Sequence, residues 1–171
     1  SPDEKKVMYI SYVKSDVKTP ADCYEDLGKA NAYTTDDLMY RHWDHTVMEI
    51  PHSFVADFAP KAEMSVTPAA SVDILAGEPA NYELPTEPFS GIEQLDWSPD
   101  GKFIAYSCRK VTGKKYAFST NTEIYIYNVE NGKASLISNA GGYDTDPVWS
   151  PDGSKICWVS MERDGYEADK Q

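Results

Sequence analysis

The chain has 171 residues and a net charge of −12, from 16 Lys plus Arg against 28 Asp plus Glu. That length suffices for one ordinary domain with its own core, and the acidity argues against DNA or RNA partners, whose phosphates need a basic footprint. No apolar run approaches the roughly 18 residues of a membrane-crossing helix. Cys23, Cys108 and Cys157 are an odd number with no CxxC spacing. They read as free thiols, buried or half-buried, rather than as a disulfide framework or a zinc site.

In chain order the first signal is Ser1-Pro2-Asp3, because the phrase returns as Trp97-Ser98-Pro99-Asp100-Gly101 and as Trp149-Ser150-Pro151-Asp152-Gly153. Aligned without gaps, the three copies lead into one pattern: Val7, Ile104 and Ile156, then Met8, Ala105 and Cys157, then Tyr9, Tyr106 and Trp158. Each copy thus predicts a turn followed by a short strand. Proline pre-sets φ at the first corner, and aspartate bonds nearby backbone N–H groups. Glycine supplies positive φ before the next strand. The phrase is read as strand, turn, strand, a stock hairpin turn set as a corner between strands of successive units, with Trp97 and Trp149 packing beneath it.

Pro20–Tyr33 is polar and without a clear period, as expected of an inserted loop with a short helical turn. Thr34–Asp37 is a candidate turn or helix start. Leu38–Trp43 then leads into two predicted strands, Thr46–Ile50 and Ser53–Phe58, separated by Pro51-His52. A further strand is expected around Ser71–Leu75. Gly77–Pro88 holds three prolines and reads as an exposed connection. Next come predicted strands at Phe103–Arg109, Glu123–Val129, Ala134–Ser138 and Asp146–Trp149, with the hairpin signal Asn131-Gly132 between the second and third.

Ser98 and Ser150 stand 52 residues apart, and Ser1 lies 97 residues before Ser98, close to two such periods. Four antiparallel strands per period of about 50 residues describe a β-propeller blade. The fold class expected is all-β: a partial β-propeller of about three four-stranded antiparallel blades with an inserted loop region. Its parts are a partial blade (1–19), a degenerate blade with insertions (20–94), one full blade (95–146) and the start of the next (147–171). Such a piece reads as part of a longer protein whose natural N-terminus is missing. Its open strand edges are expected to favour oligomers.

The repeats resemble the blades of Tol-type propellers and of the propeller domain in prolyl oligopeptidase family serine peptidases. Three stretches are similar to the acylaminoacyl peptidase and dipeptidyl peptidase V branch. They are Tyr40-Arg41-His42-Trp43-Asp44 followed by His52-Ser53-Phe54-Val55; Ser119-Thr120-Asn121-Thr122-Glu123-Ile124-Tyr125; and the segment from Ser160 through Arg163, Gly165 and Glu167 to Lys170.

The resemblance implies a propeller that gates access to an active site and binds the N-terminus of oligopeptide substrates. The Ser, Asp and His of the triad would stand on the protein's own α/β-hydrolase domain. No G-x-S-x-G elbow occurs in this sequence, so no catalytic residue is assigned and the chain alone is not expected to hydrolyse peptides. The implied chemistry releases dipeptides or acylated residues, in the periplasm or otherwise outside the cytoplasm. An ammonium in a partly desolvated pocket needs anionic partners. Glu167 is therefore the candidate amine anchor, Asp169 the second, and Arg163 a carbonyl or carboxylate clamp. No Glu-Glu pair exists here, unlike in the dipeptidyl peptidase IV branch. No cofactor is expected. His42, His45 and His52 with Asp44 superficially suggest a metal cluster, but Pro51 and the strand alternation should scatter them. The second reading, from another class, is a non-enzymatic Tol-type propeller that binds partner proteins.

Overall fold

After the first Ser-Pro-Asp phrase the chain runs straight into strand β1, Lys6–Lys14. The computed structural model describes residues 1–58, 70–88, 91–139, 141–165 and 170–171. The inserted region follows β1. Its short helix α1, Pro20–Cys23, starts at Thr19, where the Thr19 N–H and hydroxyl both reach Asp22 Oδ2 at 2.8 Å and Pro20 takes the first turn. Thr34 does not begin a helix; it bridges back to Lys18. A two-residue hairpin pair, β2 (Arg41–His42) and β3 (His45–Thr46), closes the insertion.

Strand β4, Glu49–Asp57, corrects the expectation of two strands broken at Pro51-His52. It runs unbroken and pairs with β1 from Lys6↔Asp57 to Lys14↔Glu49. Pro51 is tolerated because its carbonyl faces away from β1 and accepts the Leu84 N–H at 2.9 Å. In an antiparallel strand the N position of that residue faces the same way, so β1 never needs the missing proton. On its other side β4 pairs with the short β5, Val72–Asp73. Lys6–Lys14 and Glu49–Asp57, expected in different units, therefore share one three-stranded sheet.

The second sheet is a four-stranded antiparallel meander of β6 (Leu95–Trp97), β7 (Phe103–Cys108), β8 (Glu123–Asn128) and β9 (Lys133–Leu136). Asn131-Gly132 turns β8 into β9, with Gly132 at φ +69°. Strand β10, Asp144–Trp149, is not the fourth strand of this sheet as its spacing suggested; it pairs with β11, Ile156–Ser160, and starts a new one. A bulge between Thr145 and Val148 places Asp146 at φ +52°. These described residues form several small antiparallel sheets with almost no helix, an all-β chain. No helix among them is long and apolar enough to cross a membrane.

The repeated phrase makes a hairpin inside one sheet, joining β6 to β7 and β10 to β11, and not a corner between successive units. The Ser98 hydroxyl donates to Asp100 Oδ1, which accepts the Lys102 N–H, while Ser98 Oγ accepts the Phe103 N–H at 2.9 Å. Ser150, Asp152, Ser154 and Lys155 repeat that set, as do Ser1, Asp3, Lys5 and Lys6. The fourth residue sits at φ +70° at both Gly101 and Gly153, and at +57° at Glu4. Glycine adopts this region without steric cost, whereas Glu4 is strained. The three turns also lie side by side. A Cβ on Gly101 would stand 3.6 Å from Asp3 Oδ1, and one on Gly153 3.6 Å from Pro99 Cδ.

The main core lies between the first and second sheets and gathers Val55, Ile74, Leu75, Leu84, Leu95, Ile104, Tyr106, Cys108 and Tyr127. Strand β10 packs over β6 and β7. A smaller core of Met39, Val47 and Ile50 anchors the insertion, with Val13 and Tyr116 against it. All three cysteines are free thiols: Cys108 is buried, and Cys23 and Cys157 are exposed rather than buried. Burial pushes the Cys108 thiol up to about 12.

Candidate functional site

The Ser-Pro-Asp turns stand at the starts of β1, β7 and β11. The loops that leave the far ends of those strands carry the buried polar chemistry. They are the insertion after Lys14, the segment from Arg109 to Thr122, and the segment after Ser160. Residues 40–44, 119–122 and the described start of the third stretch after Ser160 fall in these loops, while 52–55 lie within β4, so one rim gathers much of what the sequence scatters.

The centre of the rim is Glu83, whose side chain is 2% exposed. It lies in Gly77–Pro88, which the prolines suggested was an exposed connection. Asn81, Glu83, Leu84, Pro85 and Thr86 are buried instead. The segment lies along the side of β4 away from β1, with the Leu84 N–H on Pro51 O and the Ser53 hydroxyl donating to Leu84 O at 3.0 Å. Glu83 Oε1 meets His42 Nε2. Its Oε2 accepts the Tyr116 hydroxyl at 3.0 Å and lies 3.8 Å from Arg109 Nη2. Arg109 also donates to Tyr116 Oη at 2.7 Å and to Ser119 O at 3.3 Å, with its guanidinium 4.1 Å from the centre of the Tyr116 ring. Burial is the first cause, and the Glu83 charge the second, of a raised Tyr116 hydroxyl pKa. With its oxygens engaged by three side chains, Glu83 acts as a clamp between loops.

Two further contacts lock the rim. Asp37, buried in the insertion, accepts the Gly113 N–H at 2.7 Å and the Met39 N–H at 2.9 Å. Asp164 Oδ1 accepts the N–H groups of Thr120 and Asn121 at 2.8 and 3.0 Å, and the Gly165 N–H reaches Thr120 Oγ1. Burial alone would raise the Asp164 pKa, but hydrogen bonds from Ser119, Thr120, Asn121 and Gly165 outweigh it and the carboxyl is lowered. Beneath, Gly142 lies so close to the Met161 carbonyl that a Cβ there would overlap it.

Beside His42 the rim opens into a cavity of about 700 Å³, bordered by Tyr12, Lys14, His45, Glu49 and Glu87 among others. Such a volume suits a small ligand. The Tyr12 hydroxyl donates to Glu87 Oε1 at 2.9 Å. That bond, with the nearby Glu87 and Glu49 charges, raises the Tyr12 pKa. Glu49 and Glu87 place two carboxylates beside Lys14 at this mouth.

Of the residues nominated from sequence, Glu167 and Asp169 lie outside the described residues. Arg163 is exposed just before Asp164, on the segment that grips Thr120 and Asn121. His42, His45 and His52 do not converge on a common centre. His42 goes to Glu83, His45 to Asp44, and His52 Nδ1 to Asp73 Oδ2 at 2.7 Å. Among the described residues no group of three or more His, Cys, Asp and Glu side chains is arranged to hold a metal ion, and no serine hydroxyl is bonded to a histidine. Sequence reasoning missed Glu83, Arg109, Tyr116 and Asp37. The one available signal was that a lone Glu stands between the hydrophobic Tyr82 and Leu84 in a proline-rich stretch.

Comparison with known proteins finds similarity to dipeptidyl-peptidases. The chain is 50% identical over 170 residues to dipeptidyl-peptidase 5 of Porphyromonas gingivalis, covering 99% of this chain and 24% of that protein. The similarity runs the length of the chain. Dipeptidyl-peptidase 5 of Porphyromonas endodontalis is 42% identical over 173 residues, with 99% of this chain and 23% of the relative covered. That of Aspergillus oryzae is 28% identical over 185 residues, covering 98% and 25%. The chain thus spans about a quarter of the length of the curated relatives it matches. No protein-family model matches it.

Proposed function

We propose that this chain is part of the β-propeller of a serine exopeptidase, where it gates access to the active site and helps bind the substrate's N-terminus. The observation that carries this is the 50% identity to a dipeptidyl-peptidase 5 over 99% of the chain. Three Ser-Pro-Asp turns standing side by side, each opening a sheet, support the propeller. The full-length protein would release dipeptides or acylated residues from oligopeptides, its triad standing on a separate α/β-hydrolase domain, in the periplasm or elsewhere outside the cytoplasm.

The locked rim suits gating, because its loops are tied to one another through buried groups and present one rigid edge. In this reading Glu167 anchors the substrate ammonium, Asp169 assists, and Arg163 clamps a carbonyl or carboxylate. The test is Glu167→Gln in the full-length enzyme. KM for free-amine dipeptide substrates should rise about tenfold or more, the worth of one charge-assisted hydrogen bond, while N-acylated substrates are unaffected. An unchanged KM removes the assignment. Absence of serine-inhibitor-sensitive dipeptide release by the full-length protein removes the function.

A further inference from the structure

Asp144, the first residue of β10, is fully buried, with none of its surface exposed. Its backbone is thoroughly held: the N–H donates to Thr122 O at 3.1 Å, and the carbonyl accepts the Ser107 hydroxyl at 3.0 Å and the Thr122 hydroxyl at 2.6 Å. Its carboxylate is not. Neither oxygen has a hydrogen-bond partner among the described residues, and no Lys, Arg or His there pairs with it. One residue before Thr122, Asn121 Oδ1 is a second buried acceptor without a partner. Two residues after Asp144 the strand is distorted, with Asp146 at φ +52° in the bulge. Backbone held in that region is retained only where its surroundings over-determine it.

The groups around Asp144 are unusual in kind. Ser107 and Thr122 spend their hydroxyl protons on its carbonyl, so what they turn outward is lone pairs. Ser160 is its partner across β10 and β11 and adds another hydroxyl. The Ser107 and Thr122 hydroxyl hydrogens are committed to the Asp144 carbonyl, which leaves their oxygens as acceptors. A carboxylate buried without a counter-charge is strongly disfavoured, and oxygen ligands are what a hard cation takes.

We propose that Asp144 is the charged ligand of a structural cation site between the second and third sheets, completed by the hydroxyl oxygens of Ser107 and Thr122. A single buried carboxylate is neutralised by one monovalent charge, so Na⁺ or K⁺ is the expected occupant and Ca²⁺ the competing one. The ion would pin the start of β10 to β7 and to the Thr122 segment, holding the third sheet against the second.

Thermal unfolding of the full chain tests this at constant ionic strength in the chlorides of Na⁺, K⁺ and Ca²⁺, with N-methylglucamine as the inert cation. The wild type should gain about 3 °C or more in one of these salts over N-methylglucamine, rising with its concentration as mass action requires. Asp144→Asn should lose that salt-specific gain. Ser107→Ala, which leaves the carboxylate in place, should need a several-fold higher concentration of the same cation. Equal Tm in all four salts overturns the site, as does an Asp144→Asn variant that keeps the same gain. If neither variant folds, ²³Na relaxation, its displacement by K⁺ and Ca²⁺ calorimetry on the wild type decide, and no saturable binding of any of the three overturns it.

Discussion

The two ends of strands β1, β7 and β11 are held by different physics. At the start of each strand a Ser-Pro-Asp turn is stabilised by hydrogen bonds spanning two to five residues, mostly in contact with water. At the far end the bonds join residues 33, 41 and 76 positions apart, most of them through side chains withdrawn from solvent. The first kind repeats because each turn is complete in itself. The second kind occurs once because it depends on three loops of different length arriving together. An exposed local bond can be replaced by water, whereas a buried long-range one leaves an orphaned charge when broken.

If that contrast is right, substitutions at the far end should be the more damaging. Glu83→Ala should cost about 3–5 kcal/mol, because it leaves Arg109 and His42 buried without their carboxylate. Urea unfolding measures it, and a loss below about 1 kcal/mol would erase the distinction. Gly142→Ala should follow, at about 1–3 kcal/mol, since its Cβ collides with backbone that cannot rotate aside.

The turns should respond less, and in opposite senses. Gly101→Ala should cost about 1–2 kcal/mol from its positive φ alone, there being ordinary room for the methyl group. Glu4→Gly relieves the same strain and should stabilise by about 0.5–1 kcal/mol. Equal signs for the two would show that the three turns are not equivalent.

The smallest effect is a titration. The Ser150 hydroxyl, then the Ser154 N–H and hydroxyl, hold the Asp152 carboxyl down at about 2 from the ordinary 3.8. A depressed carboxyl contributes stability that is fully present above pH 3.8 and disappears as pH falls through about 2. Carboxyl NMR should show Asp152 titrating near 2 and Ser150→Ala restoring it toward 3.8. A normal midpoint in the wild type would mean the turn bonds do not persist in solution.

Much of the turn end was legible in the sequence. The phrase, its following strand and the positive φ of its glycine all follow from residues within a few positions. The strand through Pro51 was not, because proline breaks a sheet only where its N–H would face a partner. The orientation of Pro51 depends on pairing with β1, nearly forty residues earlier. Asp146–Trp149 was read as the last strand of a unit because period alone does not say which neighbour a strand pairs with. The candidate rim was half visible. His42 and the segments at Ser119 and Ser160 stood out by resemblance, while Glu83 was hidden in a stretch whose three prolines signalled exposure.

The sequence by itself determined the all-β character, the repeated hairpin and the chain's likeness to dipeptidyl-peptidases, since each rests on local pattern. Only the tertiary structure decided that Lys6–Lys14 and Glu49–Asp57 share a sheet, that Glu83 joins His42, Tyr116 and Arg109, and that Asp144 is sealed inside. The reason is common to all three. Burial and charge pairing are properties of residues far apart in the chain, and whether a carboxylate is clamped, solvated or left without a partner depends on which loops the strands bring to the same end.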